Sequence, residues 1–181
     1  MFTYSQTRRL SITPTLDTSE YAEGDVLFVG TELKLPAKTC VVESIYATWK
    51  DSEATAGAIF LYFFESNDTA IGTINDAPNI TAANLVANGF LGGQKIHFDS
   101  RIEGAFSAAG IGIQMGFSGG QTDSGNDTVG PVDPVLLKST REDRKIFVQG
   151  AWVDGGNTSQ AITSASDALQ IHFNLGFNRN I

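Results

Sequence analysis

The stretch Gly57-Ala-Ile-Phe-Leu-Tyr-Phe-Phe-Glu65 reads as a β-strand without a polar face. Successive residues of a strand point to opposite sides. Ile59, Leu61 and Phe63 therefore share one side, and Phe60, Tyr62 and Phe64 share the other. A strand of an antiparallel sheet normally leaves one side polar and wet. This one needs cover on both sides, either from the chain's own helix and loops or from a second subunit. Apolar patches of this kind are rarely left bare on a soluble monomer. The requirement points to assembly before it points to catalysis.

The remaining pattern is that of an all-β chain. Many short apolar runs are cut by Gly, Asn, Asp, Ser and Thr, with 12 Phe, 19 Gly and only 18% charged residues. Lys145–Val153 repeats the two-sided character, setting Ile146, Val148 and Trp152 against Phe147, Ala151 and Val153. Leu169–Phe177 and Ile111–Phe117 are one-sided; in the former, Gln170, His172, Asn174 and Gly176 form the polar side. Shorter strands are expected at Leu10–Thr13, Val26–Val29, Leu33–Leu35, Ile96–Phe98 and Val135–Leu137. A longer one is expected at Thr39–Lys50, with Val41, Ile45, Ala47 and Trp49 on one side. One helix is predicted over Ala82–Asn88, with Thr81 as N-cap and Gly89 just past the C-cap. No strand–helix–strand alternation appears. The expected fold is an all-β antiparallel sandwich of two sheets, of which the jelly roll is one form. Residues 1–9 read as an N-terminal arm and 10–181 as a single domain. That length suffices to bury roughly 70% of the unfolded surface without a disulfide or metal.

Charge and residue inventory narrow the chemistry. The net charge is −8, which disfavours direct binding to phosphate backbones. Lys138, Arg141, Arg144 and Lys145 are interleaved with Glu142 and Asp143 and read as a solvated face. No apolar run approaches the ~18 residues that span a bilayer, so no membrane partner is expected, and the N-terminus carries no secretory h-region. Cys40, the only cysteine, sits beside Val41 and Val42 and reads as a small core hydrophobe. His97 and His172 fall on polar sides of strands and read as surface or interface histidines. Two His and one Cys cannot assemble a zinc site, and no nucleophile–base pair stands out. Carboxylates are plentiful, but none is marked as a glycosidase-type pair. Asp123-Ser-Gly-Asn-Asp127 resembles a calcium loop only superficially; it lacks the spacing and closing Glu of an EF-hand. Gly110–Gly116 is a glycine-bearing strand and not a dinucleotide motif. No enzyme activity, metal or cofactor is expected. Tyr46, Trp49, Tyr62 and Trp152 could stack on sugar rings, but each lies within an apolar strand and fits a core or interface role.

The order of segments resembles a group of small structural proteins of tailed bacteriophages. Tyr21-Ala-Glu-Gly-Asp25-Val comes first, then a Val/Ile-rich strand ending in Trp49-Lys-Asp51. Ile59-Phe-Leu-Tyr-Phe-Phe64-Glu-Ser-Asn67, Asn75-Asp-Ala-Pro78, a short Ala/Asn helix and Ile96-His-Phe98 follow. The likeness covers about residues 20–100, with Asn75-Asp76 in reverse of the family's usual order. It implies a virion protein of the head decoration (cement) type: a β-sandwich, commonly a trimer, bound outside the shell to the major capsid protein and made in the host cytoplasm. A tail or neck protein, or a carbohydrate-binding sandwich, are the alternatives. The family offers no catalytic motif to carry over. The candidate subunit interface is then Phe60, Tyr62 and Phe64 or Phe147 and Val153. The candidate capsid contact is Arg8 and Arg9 on the arm, with Ser118–Pro134 as a second contact.

Overall fold

The computed structural model describes residues 5–49, 57–68, 71–98, 111–116, 135–153, 160–161 and 169–178. Its elements in chain order are β1 (Gln6–Ile12), β2 (Glu20–Tyr21), β3 (Val26–Lys34), β4 (Thr39–Trp49), β5 (Gly57–Phe64), α1 (Ala82–Ala87), β6 (Phe90–Phe98), β7 (Ile111–Gly116), β8 (Leu136–Lys138), β9 (Lys145–Val153), β10 (Gln160–Ala161) and β11 (Leu169–Phe177). One sheet runs β1-β11-β4-β7, with β8 also on β4; the other runs β3-β9-β5-β6. Every pairing is antiparallel.

The long strands pair as though one hairpin had been rolled up. First meets last (β1 with β11), second meets second-to-last (β3 with β9), then β4 meets β7 and β5 meets β6. These pairs alternate between the two sheets, which is the jelly-roll winding. The predicted sandwich is therefore present in its jelly-roll form.

The core fills the space between the sheets. Ile59, Leu61 and Phe63 of β5 face Ile45 of β4 and Ile171 and Phe173 of β11, all fully buried. Phe63 meets Phe173 edge-to-face, with ring centroids 6.0 Å apart, and so ties one sheet to the other. Gly150 of β9 stands on the core face opposite both Phe28 and Leu61. A Cβ there would lie 2.2 Å from Cε1 of Phe28, so the missing side chain makes room for that ring. Cys40 is buried in the same core, as expected.

Several boundaries differ from the sequence pattern, each for a local reason. β1 begins at Gln6, inside the segment expected to be a free arm, because Gln6 to Arg9 pair with Phe177 to Asn174. Val26–Val29 and Leu33–Lys34 belong to one strand, β3, whose register against β9 shifts twice, and Leu35 lies just past its end. Gly30 interrupts the apolar pattern there, and the Asn67 side chain packs into the space its Cβ would occupy. In β4 a bulge against Asn174/Leu175 resets the alternation. Val42, not Val41, therefore turns inward beside Ile45 and Ala47. β6 starts at Phe90, ahead of the expected Ile96, across a Gly92-Gly93 pair with little side-chain signal. α1 matches its prediction: the Thr81 hydroxyl accepts from the Asn84 N–H at 3.2 Å, and Gly89 has φ +62°.

Replacing Gly150 with Ala forces a methyl group against a ring that has no room to retreat. The substitution is expected to cost about 1–3 kcal/mol, read as a lower urea midpoint with unchanged slope. A variant as stable as the parent would show that Phe28 repacks freely.

Candidate functional site

The outer face of the β3-β9-β5-β6 sheet carries the two-sided character seen in the sequence. Residues that alternate with the core set in β5 and β9 are Phe60, Tyr62, Phe64, Phe147, Gln149 and Ala151. Tyr62 pairs with Gln149 and Gly93, and Phe64 with Phe147 and Phe90. The face divides into two halves.

One half is covered by the chain itself. The segment 71–79 crosses the outer ends of β3 and β9 and is fastened there by its backbone. The Val26 N–H donates to the Asp76 carbonyl at 2.9 Å, and the Asn75 N–H donates to the Val26 carbonyl at 2.8 Å. Asn75 adopts φ +61°, a conformation that Asn tolerates better than most residues. The Gln149 amide donates to the Ile71 carbonyl at 3.1 Å, so this buried polar side chain is satisfied by the covering loop. The neighbouring Tyr21-Ala-Glu-Gly-Asp25 segment also acts as a fastener. The Asp25 carboxylate accepts from the Ala22 N–H at 2.7 Å. Gly24 turns at φ +89° and donates its N–H to the Trp152 carbonyl. Tyr21 is buried, its hydroxyl accepts from the Asp17 N–H, and burial pushes its pKa up to about 12. The Tyr21–Asp25 and Asn75–Asp76 segments are thus structural clasps around Val26.

The other half is an aromatic ladder. Phe60 and Tyr62 ring centroids lie 4.7 Å apart, Tyr62 and Phe64 6.4 Å, and Phe64 and Phe90 5.6 Å. The Phe60 ring lies over Gly93, whose Cβ would fall 2.4 Å from Phe60 Cε1. Phe60, Tyr62 and Phe147 are half-buried, whereas Phe64 is only 2% exposed. Phe90 remains 42% exposed and Val86 on α1 81% exposed. Burial raises the Tyr62 hydroxyl above its ordinary pKa, the mark of a ring seated among apolar neighbours. α1 buries no residue of its own. Of the predicted interface residues, Phe60, Tyr62 and Phe64 stand in one column. Phe147 stands beside Phe64, and Val153 holds the register position opposite Ala58.

The opposite outer face, on the β1-β11-β4-β7 sheet, is polar and tightly organised. His172 is only 6% exposed, so of the expected surface or interface roles, the surface one is corrected. Tyr46 stacks on its ring at 4.4 Å. The Arg9 guanidinium lies 4.7 Å from the Tyr46 ring centroid and closes over the pair. Nδ1 of His172 faces the Ser11 hydroxyl at 2.6 Å and Arg9 Nη2 at 3.1 Å. Arg9 is therefore anchored to its own sheet. Arg8, its neighbour, sits exposed at the sheet edge.

The basic stretch after β8 separates into ion pairs and one exception. Arg141 pairs with Asp143 at 3.1 Å and Lys145 with Glu32 at 2.8 Å. These are exposed contacts of small energetic value. Arg144 instead donates to the Pro36 carbonyl at 2.7 Å. Among the described residues no group of three or more His, Cys, Asp or Glu is placed to hold a metal ion. Ser118–Pro134 with Asp123–Asp127, and the side chains of Trp49, His97 and Val153, lie outside the described residues.

Neither a family model nor a curated protein sequence matches the chain. Among solved structures it is similar to a chain of turnip yellow mosaic virus, with TM-score 0.31 and 10% identity over 95% of this chain and 80% of that one. A chain of Desmodium yellow mottle tymovirus gives 0.28 and 11% over 95% and 86%. One from heated, full Israeli acute paralysis virus particles gives 0.25 and 9% over 96% and 70%.

Desolvation first, and the positive charge of Arg9 second, hold the His172 pKa below its ordinary value of 6.5. The unfolded chain therefore takes up the proton first as pH falls. The stability this group contributes is complete above about pH 6.5 and is lost as pH drops through its lower folded value. Denaturation midpoints should decline across that window in the parent and decline less in His172→Gln. An imidazole titrating at or above 6.5 by NMR would rule out this account.

Proposed function

We propose that this chain is a non-enzymatic structural protein of a bacteriophage virion, a decoration protein that binds the outside of the capsid and joins neighbouring major capsid subunits. The partly exposed aromatic half of the β3-β9-β5-β6 sheet is the observation that carries the reading. Phe60, Tyr62 and Phe90 present aromatic surface beside a half that the chain has already covered with its own loop. Half-exposed aromatic ladders of this kind are the usual anchors of subunit interfaces. The jelly roll supports the reading as an architecture that recurs in viral capsid and lectin domains, although fold alone never assigns function. The order of the Tyr21–Asp25 and Asn75–Pro78 segments, with its resemblance to phage head proteins, supplies the remaining support.

In this mechanism three copies meet through their aromatic ladders, and the assembled trimer is set on the shell. The histidines, the cysteine and the scattered carboxylates have no catalytic part.

Light scattering on purified protein tests the first step: a stable oligomer is expected at micromolar concentration, and a monomer would count against it. Tyr62→Lys should weaken self-association by about 2 kcal/mol or more, roughly 30-fold. The same variant should change folding free energy by less than about 1.5 kcal/mol. Loss of folding in place of loss of assembly would assign the ladder to the protomer's own core. Co-sedimentation with purified phage heads tests the second step, and no retention on heads would reject the decoration role.

A further inference from the structure

A shallow depression of about 540 Å³ opens where the start of β1 meets the β3–β4 turn, and three cations, Arg8, Lys38 and Arg144, line it. The chain holds only 12 Lys and Arg against 20 Asp and Glu, so this concentration of one sign stands out. Its other walls include Pro36, Ala37 and Phe177, which supply apolar contact. Among the described residues no carboxylate lies within ion-pair distance of the three cations. The other basic residues of the same turn, Arg141 and Lys145, do have carboxylate partners.

Arg144 is held in place before any ligand arrives. Its N–H donates to the Arg141 carbonyl at 3.2 Å, and its own carbonyl accepts from the Leu35 N–H at 2.9 Å. Its Nη1 donates to the Pro36 carbonyl at 2.7 Å, leaving the rest of the guanidinium fork for another acceptor. The backbone takes φ +58°, uncommon for a residue with a side chain. β1, whose residues 6–8 help line the depression, pairs among the described residues only with β11 and so stands at the edge of its sheet. Such an edge offers unpaired N–H and C=O groups in alternation.

From these two features together we infer that the β1 edge is a receptor for an extended, acidic segment of a partner protein. The segment adds as a strand to β1 and places carboxylates on Arg8, Lys38 and Arg144. A polypeptide matches both halves of the site, since only it supplies backbone donors and acceptors in strand register. A nucleic acid matches neither the edge nor the field of the whole molecule, whose net charge is −8. The sequence pattern suggested residues 1–9 as an arm reaching out to a neighbour; with Gln6–Arg9 already paired to β11, the edge instead receives. This inference shares with the decoration reading only the premise that the partner is a protein. Light scattering reports on the aromatic ladder and peptide binding on the β1 edge, so either can fail alone.

The test is fluorescence anisotropy with a fluorescein-labelled Val-Glu-Val-Glu-Val-Glu-Val peptide and the full chain at low salt. Saturable binding is expected, weakened at least roughly tenfold in the R8Q/K38Q variant. Both residues are exposed, so folding, checked by circular dichroism, should be unaffected. K95Q removes a positive charge from β6 in the other sheet and should bind within about twofold of the parent, as should the parent with its counter-ion exchanged. A peptide N-methylated at alternate residues should lose binding, because it cannot pair with the edge. Equal binding of the Val-Lys analogue, unchanged affinity in R8Q/K38Q, or full affinity of the N-methylated peptide would each overturn the inference. Displacement by citrate at matched carboxylate concentration would overturn it too, reducing the site to one for free anions.

Discussion

Two backbone hydrogen bonds at Val26 determine what the rest of the outer surface looks like. They clip the 71–79 segment across β3 and β9, and everything beneath it is removed from water: Val26 itself, Ala151 and the amide of Gln149. A sheet that is apolar on both sides would otherwise face solvent along its whole width. The clip stops at β9, however, and the rings on β5 and β6 lie beyond its reach. Burial of the second face is thus shared between intramolecular cover and an aromatic remainder. That division gives the molecule a defined apolar patch in place of a diffuse one.

The two sheets solve the same problem with opposite chemistry. On the β1-β11-β4-β7 sheet the outer positions are Arg9, Ser11, Tyr46, His172, Ser44 and Asn174, joined across strands by stacking and hydrogen bonds. Cross-strand pairs of this sort stabilise a face without hiding it from water. The other sheet uses ring-on-ring contacts, which gain fully only when the far side is also occupied.

Much of this was legible from residue alternation alone. The pattern of β11, with Leu169, Ile171, Phe173, Leu175 and Phe177 inward, is what the structure contains, because a side chain every second residue faces one way and burial follows. The ladder Phe60, Tyr62 and Phe64 was equally plain. What alternation could not show was where it breaks. The bulge that turns Val42 inward depends on an extra residue against Asn174/Leu175, which has no signature in β4 taken alone. The burial of His172 depends on Arg9 and Tyr46, which arrive from strands far away in sequence. The basic depression draws on residues from β1, from the β3–β4 turn and from the turn before β9, and no local motif marks it. Long-range pairing, and not residue type, decides such features.

The position of β11 also governs the order in which the molecule can be made. It lies between β1 and β4, so the sheet has no continuous hydrogen-bonded ladder until this strand, the last in sequence among those described, is in place. During synthesis β1 and β4 wait with open edges, and Phe63 of β5 lacks its partner Phe173 across the core. Pairing of first with last residues also maximises contact order, which slows folding. For such a chain the vulnerable interval is the one between translation of β1 and delivery of β11. Crowding among nascent copies in that interval would favour tangled aggregates over finished subunits.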